Sequence, residues 1–209
     1  MITLFGTVTS PFVRRVRVVC IEKGLAHTLV DAATADGQAQ LRAVSPIAKV
    51  PVARLADGRV VFDSRVILDE LCHPDLGGHA PLREPARDLR GRVDEENAVT
   101  LVDEALLCLV RLFYLKRDGA DLSVAYLQKE QARAATILMH LNDNLAGNYL
   151  TMRNAEDGGF GRPELALFTA LGWISFRKTF DLTTTTKLLA FCDHWAARPS
   201  LQQTAPDSQ

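Results

Sequence analysis

A serine–proline pair opens the first helical pattern of the chain, within the stretch TSPFVRR of residues 9–15. Ser10 can cap this helix, because its hydroxyl accepts a hydrogen bond from an early N–H group, and Pro11 has no N–H to leave unpaired. The preceding apolar run, residues 2–8, predicts a buried strand. A helix that starts directly after such a strand offers its free N–H groups where open sheets bind ligands, and these groups favour an anion. Ser10 is therefore either only a cap or a residue that also holds an anion.

Two further residue pairs stand at predicted element boundaries and could bind a peptide-like ligand. Val50 and Pro51 begin an apolar run, where a proline removes one hydrogen-bond donor from a sheet. Pro51 either starts a strand through an ordinary trans bond or belongs to a cis bond that leaves the Val50 main chain to pair with an extended ligand. Asp63 and Ser64 open the third helical pattern. They either cap that helix or clamp the ammonium and carboxylate of an amino acid head group.

Short β-like runs alternate with amphipathic segments up to about residue 73. The predicted strands are residues 2–8, 27–30, 50–55 and 59–62. The predicted helices are residues 11–23, 36–43 and 64–71. The last two strands flank Asp57 and Gly58, a dipeptide typical of a hairpin turn. This βαβαββα order predicts an α/β domain with a small mixed sheet.

Beyond residue 86 only helical patterns remain. They cover residues 99–113, 126–145, 163–176 and 185–197. The third of them has too few polar residues for an exposed helix and should lie at the centre of a bundle, and a polar tail follows Pro199. Prolines and glycines in HPDLGGHAPLREP indicate a linker. We therefore predict a first domain over residues 1–75, a linker over 76–85 and an all-α domain over 86–209.

The composition is that of a globular protein: 47% of the 209 residues are apolar, 23% are charged and the formal net charge is -1. Nothing in this balance favours nucleic acid or an acidic membrane surface as a partner. No apolar stretch approaches the roughly 20 residues that span a bilayer, and no basic and apolar leader is evident, so the expected location is the cytoplasm. Four widely spaced cysteines, without a CxxC pair or a histidine at ligand spacing, predict reduced thiols and no metal site.

Several stretches together resemble the glutathione S-transferase family over nearly the whole chain. SPFVRRVRVVCIEKGL is especially similar to members that use serine, such as the plant tau class and related bacterial proteins. SPIAKVPVARLADGRVVFDSRVILDEL stands in place of the family's usual N-P-x-x-K-V-P-x-L and E/D-S pattern, and ALGWISFR and HWAARPSLQQTAP resemble parts of its helical domain. The resemblance implies a thioredoxin-like α/β N-terminal domain, an all-α C-terminal helical bundle and a homodimer.

The resemblance also implies a glutathione site. Ser10 matches the family's catalytic serine, whose hydroxyl donates to the glutathione sulfur. Val50 matches the main-chain partner of the cysteinyl part, and Pro51 matches the cis-proline. Asp63 and Ser64 match the clamp of the γ-glutamyl group.

Three neighbouring residues leave alternatives open. Lys49 either neutralises the glycyl carboxylate of glutathione or is a solvated surface lysine. Thr7 and Thr9 are either ordinary loop residues or rivals of Ser10 for the donor role, because a one-residue change in the path of the loop would exchange Thr9 for Ser10.

The activity implied by the resemblance is the addition of glutathione to a small electrophile in detoxification, or a related glutathione-dependent reduction or dehalogenation. The electrophile site is expected between the domains. Its expected lining residues are Phe12, Leu107, Arg111 and Tyr114, with Phe113 and Trp173 as core or wall. The alternative, which some relatives allow, is a non-catalytic glutathione-fold protein that binds a partner.

The central helix departs from the family's pattern at its start. Members commonly place Ser or Thr there, with Asp three residues later, as a capping box. Gly161 and Glu164 occupy these positions here. Since glycine is an acceptable cap that costs only a few tenths of a kcal/mol relative to serine, we expect the helix to form with a weaker start.

Overall fold

The computed structural model describes residues 1–76, 82–145 and 159–206. It divides into two compact units: Met1–Leu82 together with Arg198–Gln209, and Arg83–Ala197. Part of the predicted linker, residues 77–81, lies outside the described residues, and residues 82–88 have no regular secondary structure. No described helix is long and apolar enough to cross a membrane.

The first unit contains a four-stranded mixed sheet. Its strands are β1 (Ile2–Gly6), β2 (His27–Asp31), β3 (Val52–Arg54) and β4 (Val60–Val61), in the order β2-β1-β3-β4. β1 is parallel to β2, because a helix connects them, and antiparallel to β3, which forms a hairpin with β4. Phe5, Leu41 and Val52 belong to a buried cluster on the sheet. The predicted thioredoxin-like α/β domain is confirmed.

Three helices accompany this sheet: α1 (Pro11–Glu22), α2 (Ala35–Val44) and α3 (Ser64–Cys72). A short 3₁₀ turn, Pro74–Leu76, follows the third. Gly6, at the end of β1, lets α1 approach closely: a Cβ at this position would lie 2.4 Å from Cγ2 of Val13. Glycine at this position therefore allows the packing that places the start of α1 beside the sheet.

The second unit is helical, as predicted. Its helices are α4 (Leu89–Arg117), α5 (Ala125–Asp143), α6 (Arg162–Arg177) and α7 (Thr186–Trp195), with a 3₁₀ turn at Leu182–Thr184. α6 is the most buried helix of this unit among those described, and Leu165, Leu167 and Ile174 on it are 0% exposed. The apolar pattern that starts at Val99 covers only the buried part of α4, which begins ten residues earlier, where the Asp88 carboxylate accepts the Gly91 N–H at 2.9 Å.

The segment that was predicted to be a polar tail after Pro199 instead begins with a further short helix, α8 (Pro199–Gln203), which packs on α1. Arg14, only 4% exposed, donates to the Leu201 carbonyl at 2.8 Å. Arg198 forms a two-pronged ion pair with Glu22, at 2.7 and 2.8 Å. These bonds attach the last segment to the first unit, so the predicted assignment of every residue from 86 onward to the helical domain is corrected at its C-terminal end.

The start of α6 is completed by an arginine. The Glu164 carboxylate accepts the Gly161 N–H at 2.8 Å, which is one half of a capping box. Arg83 lies where a serine side chain would stand, since a Cβ on Gly161 would be 2.9 Å from its Nη2 atom. The Arg83 guanidinium contacts Glu164 at 3.4 Å and also pairs with Glu95. The helix forms as expected, and the guanidinium of Arg83, a residue distant in sequence, lies at the position of the missing serine cap.

Candidate functional site

The strand register brings three predicted site segments to one edge of the sheet. Phe5 of β1 lies opposite Val52 of β3, and Ala53 of β3 lies opposite Val61 of β4. The chain therefore leaves β1 toward residue 10, enters β3 from residue 50 and leaves β4 toward residue 63 at the same end of these strands. We call this end of the sheet the site edge. Adjacent strands are about 4.8 Å apart, so these segments are near neighbours.

Ser10 caps α1 and keeps its proton uncommitted. Its hydroxyl oxygen accepts the Val13 N–H at 3.3 Å, and its own N–H donates to the Thr7 carbonyl at 3.1 Å. The residue is half-buried, and its hydroxyl has no acceptor among the residues that the structure describes. Thus the same side chain serves the helix as an acceptor and can serve a ligand as a donor.

The two threonines before Ser10 occupy the turn that connects β1 to α1. The bond between Ser10 and Thr7 closes this turn, and Thr9 lies within it. Both threonines are half-buried. Of these three hydroxyl residues, only Ser10 stands at the N-cap position of α1, where the positive end of the helix lies.

The segment before β3 presents main-chain groups at the site edge. The Val50–Pro51 bond is cis, and Pro51 is buried. Neither the N–H nor the C=O of Val50 forms a hydrogen bond with any residue that the structure describes. Lys49 is exposed, and Ala48 before it has a left-handed φ of 48°, a conformation that its apolar neighbours in sequence did not predict.

Asp63 and Ser64 form the third segment, at the start of α3. The Phe62–Asp63 bond is also cis, and the Asp63 carboxylate caps the helix by accepting the Arg65 N–H at 2.9 Å. Ser64 is 3% exposed, and its hydroxyl has no partner within the described part of the chain. A buried, unused hydroxyl at a helix N-terminus is suited to a carboxylate.

Cys20, the thiol on α1, is not suited to act as a nucleophile. Burial, together with the nearby Cys72 thiol, raises the pKa of Cys20 to about 12. Burial is also the main cause that raises the pKa of Cys108. Both thiols therefore stay protonated near neutral pH, where a nucleophile must be a thiolate.

The four residues predicted to line the electrophile site differ in their surroundings. Phe12 is half-buried on α1, and the centroid of its ring lies 4.9 Å from Cζ of the Arg15 guanidinium. Leu107 and Tyr114 are exposed on α4. Arg111, also on α4, is paired with Glu130 of α5, a carboxylate that is 0% exposed. This ion pair, which the sequence could not indicate, gives Arg111 a structural role in the second unit.

The aromatic residues predicted as core or wall pack within the second unit. Phe113 of α4 and Trp173 of α6 meet edge to face, with ring centroids 5.7 Å apart. No group of three His, Cys, Asp or Glu side chains in the described ranges is arranged to hold a metal ion.

Comparison with known proteins supports the family that the sequence resembles. Residues 9–73 match the family model of the glutathione S-transferase N-terminal domain. The GST-like protein YibF of Escherichia coli (strain K12) is 26% identical over 178 residues, which are 84% of this chain and 83% of YibF. Residues 9–73 include Ser10, Val50, Pro51, Asp63 and Ser64.

Solved structures share the fold over nearly the whole chain. A glutathione transferase family member from Pseudomonas fluorescens Pf-5, with bound glutathione, is 26% identical, has a TM-score of 0.81 and is matched over 99% of both chains. A glutathione S-transferase from Methylobacterium radiotolerans JCM 2831, in complex with glutathione sulfonate, is 27% identical, with a TM-score of 0.78 and coverage of 98% of this chain and 94% of the other. The first unit and the helical unit thus have the fold of glutathione S-transferases.

Proposed function

We propose that this protein is a glutathione transferase that binds glutathione at the site edge and holds its sulfur as a thiolate. The observation that carries the proposal is the Ser10 hydroxyl, which caps α1 while its proton has no acceptor among the described residues. The match of residues 9–73 to the family's N-terminal domain supports it. So do the similar structures that contain glutathione.

Ser10 and the N-terminus of α1 can supply the free energy that thiol activation requires. A free thiol has a pKa near 8.5, and lowering it by roughly two units requires about 2.7 kcal/mol of preferential stabilisation of the anion. A charge-assisted hydrogen bond contributes about 1.5–3 kcal/mol and a helix N-terminus about 0.3–1 kcal/mol. Ser10 and the first turn of α1 together can therefore activate the thiol without a general base.

The remaining parts of glutathione have matching groups. The main chain of Val50 pairs with the cysteinyl part as an added strand would, and Pro51 fixes the start of β3 beside it. Ser64 and the N-terminus of α3 bind the γ-glutamyl carboxylate, and the exposed Asp63 carboxylate binds the ammonium. Lys49, which is exposed and forms no ion pair with a described residue, neutralises the glycyl carboxylate.

The thiolate then attacks the electrophilic centre of a small molecule, which forms the sulfur–carbon bond and displaces a leaving group or adds a proton. Glutathione-dependent reduction and dehalogenation are the related reactions open to the same thiolate. Phe12, Leu107 and Tyr114 are proposed to contact the electrophile, whereas Arg111 is proposed to support α4 through Glu130. We also propose that the protein is a cytoplasmic homodimer with a role in detoxification.

Calorimetric titration with glutathione tests the assignment of roles. Ser64→Ala is expected to weaken glutathione binding by about tenfold, because the carboxylate loses a hydrogen bond of about 1.5 kcal/mol. Ser10→Ala is expected to change binding by less than that at a pH where the free thiol is protonated. A matched control is Ser123→Ala, which removes an exposed hydroxyl that donates to Asp121 in the second unit. Wild-type binding in Ser64→Ala, or no binding by the wild type at millimolar glutathione, would contradict the proposal.

A further inference from the structure

A small cavity within the second unit is lined by residues of α4, by the start of α6 and by the segment before α4. Its volume is about 160 Å³, and it uses none of the residues assigned to glutathione. Since a water molecule takes about 30 Å³ in the liquid, the space holds roughly five small heavy atoms, as many as a tetrahedral oxyanion has. Sites for larger organic ligands measure about 300–1,000 Å³. We call this space the α4–α6 cavity.

The lining of the α4–α6 cavity is rich in arginine. Three of its eight residues are arginines, Arg83, Arg92 and Arg162, and two are glutamates, Glu95 and Glu96. The charges of Arg162 and Glu96 are opposite and balance each other. An arginine presents its N–H groups in a planar fork that matches the oxygens of an oxyanion. The remaining two arginines therefore decide what the cavity can bind.

Arg83 gives the α4–α6 cavity a buried donor without an acceptor. Its two terminal nitrogens face the carboxylates of Glu95 and Glu164. Its Nε atom is buried and has no hydrogen-bond partner within the described part of the chain. Because two carboxylates already face the guanidinium, Arg83 contributes a donor rather than an unmatched charge. Buried polar groups are normally paired, so this N–H is suited to an acceptor that a ligand supplies.

Arg92 gives the same cavity a cation that is not used elsewhere. It is exposed on α4, and its guanidinium forms no ion pair or hydrogen bond with any residue that the structure describes. The nearby Glu95 carboxylate is already occupied, since one oxygen pairs with Arg83 and the other accepts the Ala86 N–H at 3.2 Å. The charge of Arg92 is thus available to a ligand.

We propose that the α4–α6 cavity binds a tetrahedral oxyanion, phosphate or sulfate. One oxygen accepts the Nε–H of Arg83, and another pairs with the guanidinium of Arg92. The bound anion links the segment before α4 to α4 itself, beside the start of α6, and so stabilises the second unit. Its binding needs neither glutathione nor any activity of the enzyme.

Titration of the full chain with inorganic phosphate, followed by two-dimensional ¹H–¹⁵N NMR at constant ionic strength and saturating glutathione, tests the site directly. The Nε–H signal of Arg83, assigned from triple-resonance spectra, should shift and saturate at millimolar phosphate. Sulfate should compete for the same signal, because it has the same tetrahedral arrangement of oxygens. Sodium chloride at equal ionic strength should leave the signal in place.

Arg92→Gln is expected to weaken phosphate binding by about fivefold, since the ion pair of an exposed arginine is worth up to about 1 kcal/mol. The matched control is Arg87→Gln, which removes an exposed arginine close in sequence that does not line the cavity, and it should bind as the wild type does. Phosphate stabilises most proteins in general. The rise in the midpoint of thermal unfolding should therefore be smaller in Arg92→Gln than in Arg87→Gln.

Ser64→Ala separates this site from the proposed glutathione site. It should leave the phosphate titration unchanged, because Ser64 belongs to the first unit and does not line the cavity. An unmoved Arg83 Nε–H signal at tens of millimolar phosphate would overturn the proposal. Equal affinities in Arg92→Gln and Arg87→Gln, or loss of phosphate binding in Ser64→Ala, would also overturn it. Failure of glutathione binding would leave the result at Arg83 and Arg92 intact, so the two proposals fail separately.

Discussion

We propose two functions for the Ser10 hydroxyl, one for its oxygen and one for its proton. Its oxygen accepts the Val13 N–H and so stabilises the start of α1. Its proton is the part that we propose to donate to sulfur. Substitution can separate these contributions, because loss of the cap lowers stability whereas loss of the donor lowers the rate of catalysis.

Ser10→Ala is expected to reduce kcat for glutathione conjugation by about 10- to 100-fold, since the thiolate loses a charge-assisted hydrogen bond of about 1.5–3 kcal/mol. The free energy of unfolding should also fall by about 1 kcal/mol through the lost cap. Steady-state kinetics with a chromogenic electrophile and denaturant unfolding measure the two effects.

A matched control distinguishes the cap from the donor. Thr34 caps α2 by accepting the Gly37 N–H at 3.0 Å and lies outside the proposed site. Thr34→Ala should lose similar stability but keep full activity, and Ser10→Thr should recover most of the rate because it retains a hydroxyl. Equal turnover in Ser10→Ala and the wild type would mean that Ser10 only caps.

Cys20 makes the free energy of unfolding depend on pH in the alkaline range. Its folded pKa is about 12 against an ordinary value of 9.0, so between these values the folded state keeps a proton that the unfolded state loses. The free energy of unfolding therefore falls as pH rises through this window, by up to about 1.4 kcal/mol per pH unit from this group. Denaturant unfolding at pH 9, 10 and 11 should show a steeper decline for the wild type than for Cys20→Ala. Equal slopes would contradict the assignment.

At the scale of elements, the start of α6 links two distant parts of the second unit. Arg83 fills the space beside Gly161 and pairs with Glu164, whose carboxylate is 0% exposed. A serine side chain at position 161 would therefore occupy the space from which Arg83 pairs with Glu164. Gly161 and Arg83 together replace the serine cap.

Gly161→Ser is expected to lower the free energy of unfolding by about 1–2 kcal/mol, although serine is intrinsically the better cap. The new Cβ would lie 2.9 Å from Arg83 Nη2, and displacing the guanidinium leaves buried Glu164 short of a partner. The gain from the cap itself is only a few tenths of a kcal/mol.

The control for this substitution is a double-mutant cycle with Arg83→Ala, measured by denaturant unfolding. In the Arg83→Ala background the serine no longer meets the guanidinium and should cost less, or stabilise the helix. If serine stabilised both backgrounds equally, the ion pair would not replace the cap.

The elements with strong local patterns could be predicted from the sequence, and those held by distant contacts could not. α1 and α6 were evident from their apolar spacing and their boundary residues. α8 was not, because its docking depends on Arg14 and Glu22, which lie more than 170 positions earlier in the chain. The early turns of α4 carry too few buried residues to show an apolar periodicity.

The same division applies to the candidate site. The hydrophobic pattern and the turn residues predicted that Ser10, Val50 and Ser64 each stand at an element boundary, and the family resemblance grouped them into one site; the strand order that brings them to one edge came only with the structure. The free proton of Ser10 and the pairing of Arg111 with Glu130 depend on three-dimensional neighbours, so no local pattern indicated them.

At the scale of the whole molecule, the proposed homodimer is testable without knowledge of the substrate. The family resemblance implies two chains, and the described surface carries exposed apolar side chains such as Val66, Leu89 and Val93 that an interface between copies could cover. Sedimentation equilibrium at micromolar concentration should give the mass of two chains. A single-chain mass across the concentration series would rule out the dimer.

The central claim is that the start of α1 holds the sulfur of glutathione as an anion. Titration of the thiolate absorbance of glutathione bound to saturated wild-type protein, with Ser10→Ala alongside, tests it most directly. We expect a thiol pKa about two units below the free value near 8.5 in the wild type, and a pKa close to the free value in Ser10→Ala. An unshifted thiol pKa on saturated wild-type protein would contradict the account.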